Sequence, residues 1–335
     1  MEPASGKYLL TGASGMLGTA IRRALDARQM QSLQLSRSAT IPRSREIQSA
    51  GAGQTAGRSD TFQFVAVSIS GEIPWNPTVS PSVAHPQLLE GLTAAIHLSG
   101  ANLAAHRWTP AYKHEIVSSR IDSTRALATT LAGLRHPPAT LLVASATGIY
   151  GNRGDELLDE SSAPGSGFLA DLCRQWEAAA QPAVDAGIRV VHLRFGVVLG
   201  PRSAPGALAR LLPIFRLGLG GRLGSGRQWM SWISLDDLVS SVFLLLANSS
   251  ISGPVNLTAP NPVTNAQFTR ALGRRLHRPA ILPVPASMLR LALGEIADEA
   301  LLSGARAFPS RLSAAGFQFA HPTIDLALAA ALGKR

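Results

Sequence analysis

Residues 7–18 read KYLLTGASGMLG, a short apolar run followed by three glycines spaced three residues apart. The run predicts a buried β-strand, and the segment that follows, 16–28 (MLGTAIRRALDAR), predicts an amphipathic helix. Gly12, Gly15 and Gly18 permit a tight turn, close approach of the backbone to a diphosphate, and close packing of helix on strand. A helix N-terminus also favours an anion. The stretch therefore predicts a dinucleotide-binding turn, and a glycine-rich turn without a ligand is the alternative.

Strand-like and helix-like segments alternate along the first 200 residues. Strands are predicted at 32–36, 94–98, 140–145 and 189–195, and helices at 112–134 and 168–186. This alternation is typical of βαβ units and predicts an α/β fold: a doubly wound parallel Rossmann-type sheet with helices on both faces. Residues 38–70, rich in Ser, Ala, Gly and Arg, interrupt the alternation and are interpreted as a surface insertion.

Three regions are predicted. Residues 1–200 form the Rossmann domain, residues 201–278 contribute substrate-side segments interleaved with its core, and residues 279–335 form a smaller, mostly helical C-terminal lobe.

The composition excludes several classes of protein. With 46% hydrophobic and 16% charged residues the chain is globular rather than disordered. Apolar runs such as 239–247 are shorter than the roughly 20 residues that span a membrane. We also expect no secretory signal. Cys173 is the only cysteine, and the eight histidines show no metal-ligand spacing, so we expect no disulfide, no metal and a cytoplasmic location.

The net charge of +10 is carried almost entirely by arginine, because lysine occurs only at 7, 113 and 334. The arginines are scattered, and basic runs interleaved with aromatic residues are absent. This pattern disfavours nucleic acid and leaves an anionic cofactor, or an arginine-rich proteome, as the explanation.

The second predicted strand, SLQLSRS, ends at Ser36 and Arg37. Sites that prefer NAD usually carry an acidic residue here, on the ribose 2′-hydroxyl. A guanidinium instead pairs with a 2′-phosphate in a fork geometry, so Arg37 favours NADP(H). A solvated loop arginine is the alternative.

Four segments carry a family resemblance: TGASGMLG (11–18), HLSGAN (97–102), SATGIYG (145–151) and LRFGVVLG (193–200). Together they resemble the extended short-chain dehydrogenase/reductases. RWTPAYKHEIVSSR (107–120), GSGRQWMSWISLDD (224–237) and the C-terminal lobe narrow the resemblance to an atypical branch, the epimerase family, whose members are described as nucleoside-diphosphate-sugar epimerase-like or cell-division-inhibitor-like. The resemblance covers nearly the whole chain except 38–70.

The resemblance implies an NADP(H)-binding domain with a set of cofactor contacts. They are Gly12, Ser14, Gly15, Met16, Leu17 and Gly18 around the diphosphate, Ser36 and Arg37 at the 2′-phosphate, Leu98, Ser99 and Gly100 at the adenine and ribose, Glu115 and Arg120 on the following helix, and Val198 near the nicotinamide. Leu98 and Val198 are equally well explained as core residues at strand ends.

The usual catalytic pair of this superfamily is missing. A tyrosine normally transfers the proton, and a lysine four residues later, one helical turn on, lowers the pKa of that tyrosine. No tyrosine in this chain has a lysine at that spacing. In GFLADLCRQWE (167–177), Phe168 or Leu169 falls at the tyrosine position and Cys173 near the lysine position.

Other residues are candidates for the chemistry. Ser145 ends the fifth predicted strand and is predicted to polarise the reacting oxygen, with Tyr150 or water transferring the proton. For Tyr150 the alternative is a ring packed over the loop with its hydroxyl in water. The acidic loop GDELLDE (154–160) offers carboxylates but is more typical of a solvated loop. Arg194, inside an apolar strand, needs a partner, and we expect a structural ion pair.

The segment 217–232 (LGLGGRLGSGRQWMSW) is the predicted substrate loop. Arg222, Arg227, Gln228 and Trp229 combine positive charge with hydrogen-bonding and stacking surface, which suits an anionic, ring-bearing substrate such as a nucleotide sugar. A packed loop covering the sheet is the alternative.

Two functions remain open. The first is an NADP(H)-dependent oxidoreductase or epimerase-like enzyme acting on a small carbonyl- or hydroxyl-bearing molecule. The second is a non-catalytic NADPH-binding sensor that acts on a partner, for example in cell division. We expect a monomer or homodimer with no membrane partner.

Overall fold

The fold was analysed in a computed structural model that describes residues 6–36, 72–79, 82–83, 85–204 and 206–333. Its strands are β1 (Lys7–Thr11), β2 (Gln31–Ser36), β3 (Glu72–Pro74), β4 (Ala94–His97), β5 (Thr140–Ala146), β6 (Leu157–Leu158), β7 (Arg189–Phe195), β8 (Val197–Leu199), β9 (Trp229–Met230), β10 (Trp232–Ser234), β11 (Gly253–Leu257), β12 (Val263–Thr264) and β13 (Arg306–Ala307). Its α-helices are α1 (Met16–Ala27), α2 (Pro110–Ala132), α3 (Phe168–Ala178), α4 (Gln181–Asp185), α5 (Ala207–Arg216), α6 (Leu235–Ala247), α7 (Asn265–Leu276), α8 (Ala286–Leu293), α9 (Ser310–Ala314) and α10 (Ile324–Leu332).

The central sheet has seven parallel strands in the order β11-β7-β5-β4-β1-β2-β3. Because β2 and β3 lie on one side of β1 and β4 on the other, the strand order reverses at β1. Ligands of open α/β sheets bind at the carboxyl ends of the strands beside such a reversal. The predicted doubly wound parallel sheet is confirmed, and its switch point lies between β1 and β4.

Strand β1 shows how helices cover both faces of the sheet. Leu9 packs in a cluster with Leu127 of α2 and Trp176 of α3. Its neighbours Tyr8 and Leu10 point to the opposite face and pack with residues of α1 and α6. Since successive side chains alternate across a strand, an apolar residue at every position is what a strand covered on both faces requires.

A third apolar cluster lies outside the sheet and joins α5, α7 and α10. Trp232, Phe215 and Leu328 belong to it. Residues 253–257 return to the central sheet as β11, beside β7. The region after residue 200 therefore contributes both to the sheet and to a separate helical layer.

The continuous helix predicted over 168–186 is wrong, since the structure has two helices, α3 and α4, in this range. Pro182 lies in the first turn of α4. Proline has no N–H to donate and is tolerated in a first turn but not inside a helix, so the chain restarts the helix there.

Two glycines bring α1 and β4 against the β1–α1 turn. Gly12 has a φ of +70°, and a Cβ on it would lie 2.9 Å from the carbonyl carbon and oxygen of Leu98, just past β4. A Cβ on Gly18, in α1, would lie 2.2 Å from the carbonyl oxygen of Gly12. Both neighbours are backbone, so neither site has room for a side chain.

We predict that Gly18→Ala lowers the free energy of unfolding by about 3 kcal/mol, because the methyl group is forced into a backbone carbonyl. This loss outweighs the roughly 1 kcal/mol that alanine gains over glycine in a helix interior. Urea denaturation would measure it. Gly133→Ala is the control, because a Cβ there would lie 3.6 Å from its nearest neighbour. Equal stabilities of the two variants would contradict the prediction.

Candidate cofactor groove and active site

A groove of about 350 Å³ lies at the switch point of the sheet. Its lining comes from the β1–α1 turn, the end of β2, β3 and the segment after β4: Gly12, Ala13, Ser14, Gly15, Gln34, Leu35, Ser36, Glu72, Trp75, Leu98, Ser99 and Gly100. The structure thus brings together seven of the residues predicted to contact the cofactor.

The β1–α1 turn fits a diphosphate. Gly15 is the N-cap of α1, and no side chain among the described residues caps this helix. The first turn carries no acidic residue, and Ser14 and Gly15 are exposed. The free N–H groups of such a helix N-terminus, together with its partial positive charge, bind phosphate groups. This turn, with no room for side chains at Gly12 and Gly18, is the cradle that a dinucleotide requires.

Met16 and Val198, two of the predicted cofactor contacts, do not line the groove. The Met16 sulfur would lie 2.7 Å from a Cβ on Gly200, directly after β8. Val198 is half-buried in β8 and packs against the core cluster of the α1 face, as does Leu17. The packing of Val198 agrees with the alternative of a core residue at a strand end, and its contact with the nicotinamide stays a prediction.

Arg120 lies beneath the segment after β4. Its guanidinium donates to the carbonyls of Ile116 (3.1 Å) and Ala101 (2.9 Å), and a Cβ on Gly100 would lie 3.2 Å from its central carbon. Burial lowers the pKa of Arg120. Arg120 therefore supports the groove from behind. Glu115 lies on the exposed side of α2 and does not line the groove, so the structure does not bring it to the cofactor site.

The end of the groove formed by β2 and β3 contains two residues that sequence analysis missed. Glu72 lies opposite Gln34 in the β2–β3 register, and Trp75 follows β3 with 6% of its surface exposed. Both line the groove with Ser36, while Arg37 lies outside the described residues. The strand that carries Glu72 is only three residues long and follows the interrupted segment, so no periodic signal marked it.

Ser145 does not reach the surface of the cleft. It is 1% exposed, and its hydroxyl donates to Glu177 at 2.7 Å. Glu177 in turn accepts two hydrogen bonds from Arg194, at 2.8 and 2.9 Å. Burial alone would raise the pKa of Glu177, but the hydrogen bonds and charge of Arg194 outweigh it and lower that pKa. The structural ion pair predicted for Arg194 is confirmed.

Tyr150 belongs to the same buried network. It is fully buried, and its hydroxyl donates to Asn256 at 2.7 Å and accepts from Arg194 at 3.0 Å. Burial raises the pKa of the Tyr150 phenol. The alternative of a ring with its hydroxyl in water is wrong, because that hydroxyl is buried and paired with protein groups. The role of proton donor stays a prediction, now for a phenol that the structure buries. Ser145 and Tyr150 hold strands β5, β7 and β11 together instead of facing a substrate.

The helix that should carry the missing tyrosine and lysine is fixed by the C-terminal lobe. Glu299 accepts the backbone N–H groups of Phe168 (3.3 Å) and Leu169 (3.1 Å), so a carboxylate distant in sequence caps α3. The Phe168 ring lies between Trp108 (5.1 Å) and the ammonium of Lys113 (4.2 Å). Sequence reasoning missed Glu299 because a cap from another element leaves no local spacing.

The lysine position of this helix holds Cys173. Burial raises the pKa of its thiol to about 12. The thiol is therefore protonated at physiological pH and is not a nucleophile.

In the predicted substrate loop, Gln228 and Trp229 are held by hydrogen bonds, whereas Arg222 and Arg227 are exposed. Gln228 donates to the carbonyls of Leu223 (3.1 Å) and Leu301 (2.8 Å), and Trp229 donates to Asp155 (2.7 Å). Arg306 stacks on the Trp229 ring at 4.5 Å. Gln228 and Trp229 thus serve loop packing in this structure, which is the alternative stated for them. Arg222 and Arg227 are exposed.

The described residues contain neither a metal-binding cluster nor a helix that could span a membrane. Over these ranges, no group of three or more His, Cys, Asp or Glu residues is placed to hold a metal ion. No described helix is both long and apolar enough to cross a membrane.

Comparison with known proteins agrees with this geometry. Residues 8–257 match the NAD dependent epimerase/dehydratase family, and residues 284–331 match a domain of unknown function, DUF1731. An epimerase family protein of Mycobacterium bovis is 44% identical over 325 residues, 97% of each chain. A crystal structure of the human epimerase family protein SDR39U1 with NADPH has a TM-score of 0.80 and 29% identity, covering 97% of this chain and 98% of that one. A nucleoside-diphosphate sugar epimerase from Corynebacterium glutamicum has a TM-score of 0.73 and 31% identity, covering 98% of this chain and 59% of that one.

The fold and the groove define a Rossmann-type protein of the NAD(P)-binding class. The chain belongs to the NAD dependent epimerase/dehydratase family, and within it is related to SDR39U1, so the predicted family resemblance is confirmed.

We predict that Glu177→Gln destabilises the protein by about 3–5 kcal/mol at neutral pH, because it leaves Arg194 buried without its counter-charge. The pKa of Glu177 is lower in the folded than in the unfolded chain, so its contribution is present above the ordinary carboxyl pKa and is lost as the pH falls through the folded value. The difference between wild type and variant should therefore shrink in acid. Denaturant unfolding at several pH values measures it.

Asp171→Asn is the matched control on the same helix, since Asp171 pairs with Arg174 while both side chains are more than half exposed. We expect a change of less than about 1 kcal/mol for this variant. A Glu177→Gln variant as stable as the Asp171→Asn variant would show that the buried network is dispensable.

Proposed function

We propose that the chain is an NADP(H)-dependent oxidoreductase or epimerase-like enzyme acting on a small carbonyl- or hydroxyl-bearing substrate, with nucleotide sugars as the first class to test. The observation that carries this proposal is the β1–α1 turn. The N-terminus of α1 has no capping side chain, and Gly12 and Gly18 let the backbone pack closely, which together suit a diphosphate. The NADPH in the structure of the human relative supports it, as does the epimerase description of the Corynebacterium relative.

The preference for NADP(H) rests on Arg37. It follows Ser36 directly in the sequence, and Ser36 lines the groove at the end of β2. Glu72 lines the same end, and a carboxylate there opposes a 2′-phosphate. We infer that the guanidinium of Arg37 outweighs this repulsion, because its fork geometry pairs with phosphate through two charge-assisted hydrogen bonds.

The chemistry would depend on orientation more than on a protein acid. Bound NADP(H) would supply the hydride, and the chain would supply the position of the nicotinamide near Val198. Of the hydroxyls near the end of β5, Ser145 is buried in the ionic network, whereas Thr147 is half-buried. The Thr147 hydroxyl donates to the carbonyl of Phe195 at 3.3 Å. If it turned to a substrate oxygen instead it would polarise that oxygen, and water would transfer the proton.

The substrate would enter beside the exposed arginines. Arg222 and Arg227 lie in the loop before β9 and bring positive charge without a carboxylate in residues 217–232. Guanidinium groups bind phosphate and carboxylate groups in two-point geometry, which favours an anionic substrate. Gln228 and Trp229 would fix the loop that presents them.

A second candidate is a non-catalytic NADPH-binding sensor. The observation that favours it is the burial of both Ser145 and Tyr150, in a chain that also lacks the tyrosine and lysine pair. A sensor needs the cofactor groove but no proton donor.

The two candidates differ in turnover. Oxidation of NADPH would be followed by its absorbance with aldehydes, quinones and nucleotide sugars, and binding would be measured by calorimetry. Turnover that falls in Thr147→Val but not in the buried-site control Ser241→Ala supports the enzyme. Tight NADPH binding without turnover on any substrate supports the sensor, and no binding of either coenzyme overturns both.

We predict that Arg37→Asp weakens NADPH binding by about 10- to 100-fold, the value of a charge-assisted hydrogen bond, and changes NADH binding far less. Calorimetric titration of both coenzymes measures the ratio. Glu72→Gln should shift the ratio the other way, towards NADPH. Arg23→Asp, an exposed position on α1, controls for the change in net charge. Equal losses of NADPH and NADH would contradict the assignment of Arg37.

A further inference from the structure

A chain of four polar side chains runs from the groove into the core. The Ser99 hydroxyl lies 3.0 Å from the hydroxyl of Thr11, which lies 2.7 Å from Nδ1 of His97. Nε2 of His97 lies 3.2 Å from the hydroxyl of Ser123 in α2. Only Ser99 lines the groove, while Thr11, His97 and Ser123 are buried.

The buried end fixes the direction of this chain. Ser123 has one hydroxyl hydrogen, and it points to backbone carbonyls, that of Ser119 at 2.6 Å and that of Arg120 at 3.2 Å. Ser123 must then accept from His97, so Nε2 carries the ring proton. Burial lowers the pKa of His97 to about 4, so the ring is neutral at physiological pH and Nδ1 is an acceptor.

The direction passes from His97 to the groove. Thr11 donates its hydrogen to Nδ1 of His97, so its oxygen can only accept from its other neighbours. These neighbours are the backbone N–H of Leu98, at 3.2 Å, and the hydroxyl of Ser99, at 3.0 Å. The Ser99 hydrogen is thereby committed to Thr11.

Ser99 consequently offers only lone pairs to a ligand. A phosphate oxygen, which is itself an acceptor, gains nothing from it, whereas a hydroxyl can donate to it. Leu98, the preceding residue, lies against Gly12 of the diphosphate turn, so Ser99 is next to the place where a ribose leaves the diphosphate.

We propose that Thr11 and His97 are positioning residues that hold Ser99 as a hydrogen-bond acceptor, and that Ser99 accepts from a hydroxyl of the adenosine ribose. The ribose assignment follows from the lining of the groove, where Ser99 shares the space with Gln34, Ser36 and Glu72. The direction of the four hydrogen-bonded side chains concerns the protein alone, whereas the ribose contact rests on the proposed function.

The polarity is tested without any cofactor. Nitrogen–proton correlation spectra of ¹⁵N-histidine-labelled protein report the tautomer of each ring, and the signals lost in His97→Gln identify His97. We expect the neutral form with the proton on Nε2 at neutral pH. A proton on Nδ1, or a ring that titrates in the ordinary histidine range, would overturn the proposed direction.

The ribose contact is tested by combining a substitution in the protein with the removal of one hydroxyl from the ligand. We expect Ser99→Ala to weaken NADPH by about 3- to 10-fold, the value of one neutral hydrogen bond, and to leave unchanged the binding of an analogue without the adenosine 3′-hydroxyl. Ser241→Ala, a buried serine in α6 that donates to the carbonyl of Leu238, is the control. Equal losses on both ligands would overturn the contact.

The positioning role predicts a difference between conservative and disruptive variants. Thr11→Ser and His97→Gln keep one donor and one acceptor and should retain the preference for the 3′-hydroxyl. Thr11→Val removes the acceptor of the Ser99 hydrogen. His97→Leu removes the acceptor of the Thr11 hydrogen, which can then turn towards Ser99 and reverse that hydrogen bond. Both variants leave the Ser99 hydrogen free and should abolish the preference, even where the protein stays folded. If a folded Thr11→Val protein still preferred the ligand with the 3′-hydroxyl, Ser99 would not depend on Thr11 for its orientation, and the positioning role would be overturned. Failure of every variant and of wild type to bind a coenzyme would overturn the proposed function but not the tautomer result.

Discussion

The cofactor groove depends on one constraint, the close backbone packing around Gly12, which meets α1 on one side and the segment after β4 on the other. The missing side chain at Gly18 lets the helix reach β1, and the positive φ of Gly12 turns the chain so that the same residue touches the backbone after β4. These two contacts set the distance between the N-terminus of α1 and Ser99. A diphosphate and the ribose attached to it need these two features at a fixed separation, so backbone geometry positions the cofactor before any side chain contributes.

The fold was predictable because its strands are buried on both faces. Leu9 and Leu10 point in opposite directions and both meet helices, so an unbroken apolar run was a sufficient signal. The cofactor loop was predictable because its glycines lie close together in sequence. The direction of a single side chain at a strand end was not predictable. Ser145 points into the core towards Glu177, and no local pattern records the partner. Glu72 and Glu299 were missed for the same reason, since tertiary contacts alone bring them to their sites.

Polar residues around the carboxyl end of β5 form a buried ionic network in this structure. Glu177, Arg194, Tyr150 and Ser145 form one buried network across β5, β7 and the neighbouring α3. Buried ions cost several kcal/mol in lost hydration, and only complete pairing offsets that cost. Such a network is difficult to combine with a hydroxyl that must change partners during catalysis. The carboxyl end of β5 therefore carries a buried network in this structure, with neither Ser145 nor Tyr150 exposed.

A tertiary contact from the segment after α8 fixes the start of α3. Gly167 precedes α3 with a φ of +109° and has no side chain with which to cap the helix, and Glu299 supplies the carboxylate instead. Lys113 of α2 adds an ion pair with Glu295 at 2.7 Å. Glu295 and Glu299, both from the segment after α8, thus hold α2 and α3. Displacement of this segment would break the ion pair to α2 and leave the first N–H groups of α3 without their carboxylate, so the position of the segment is coupled to the start of α3.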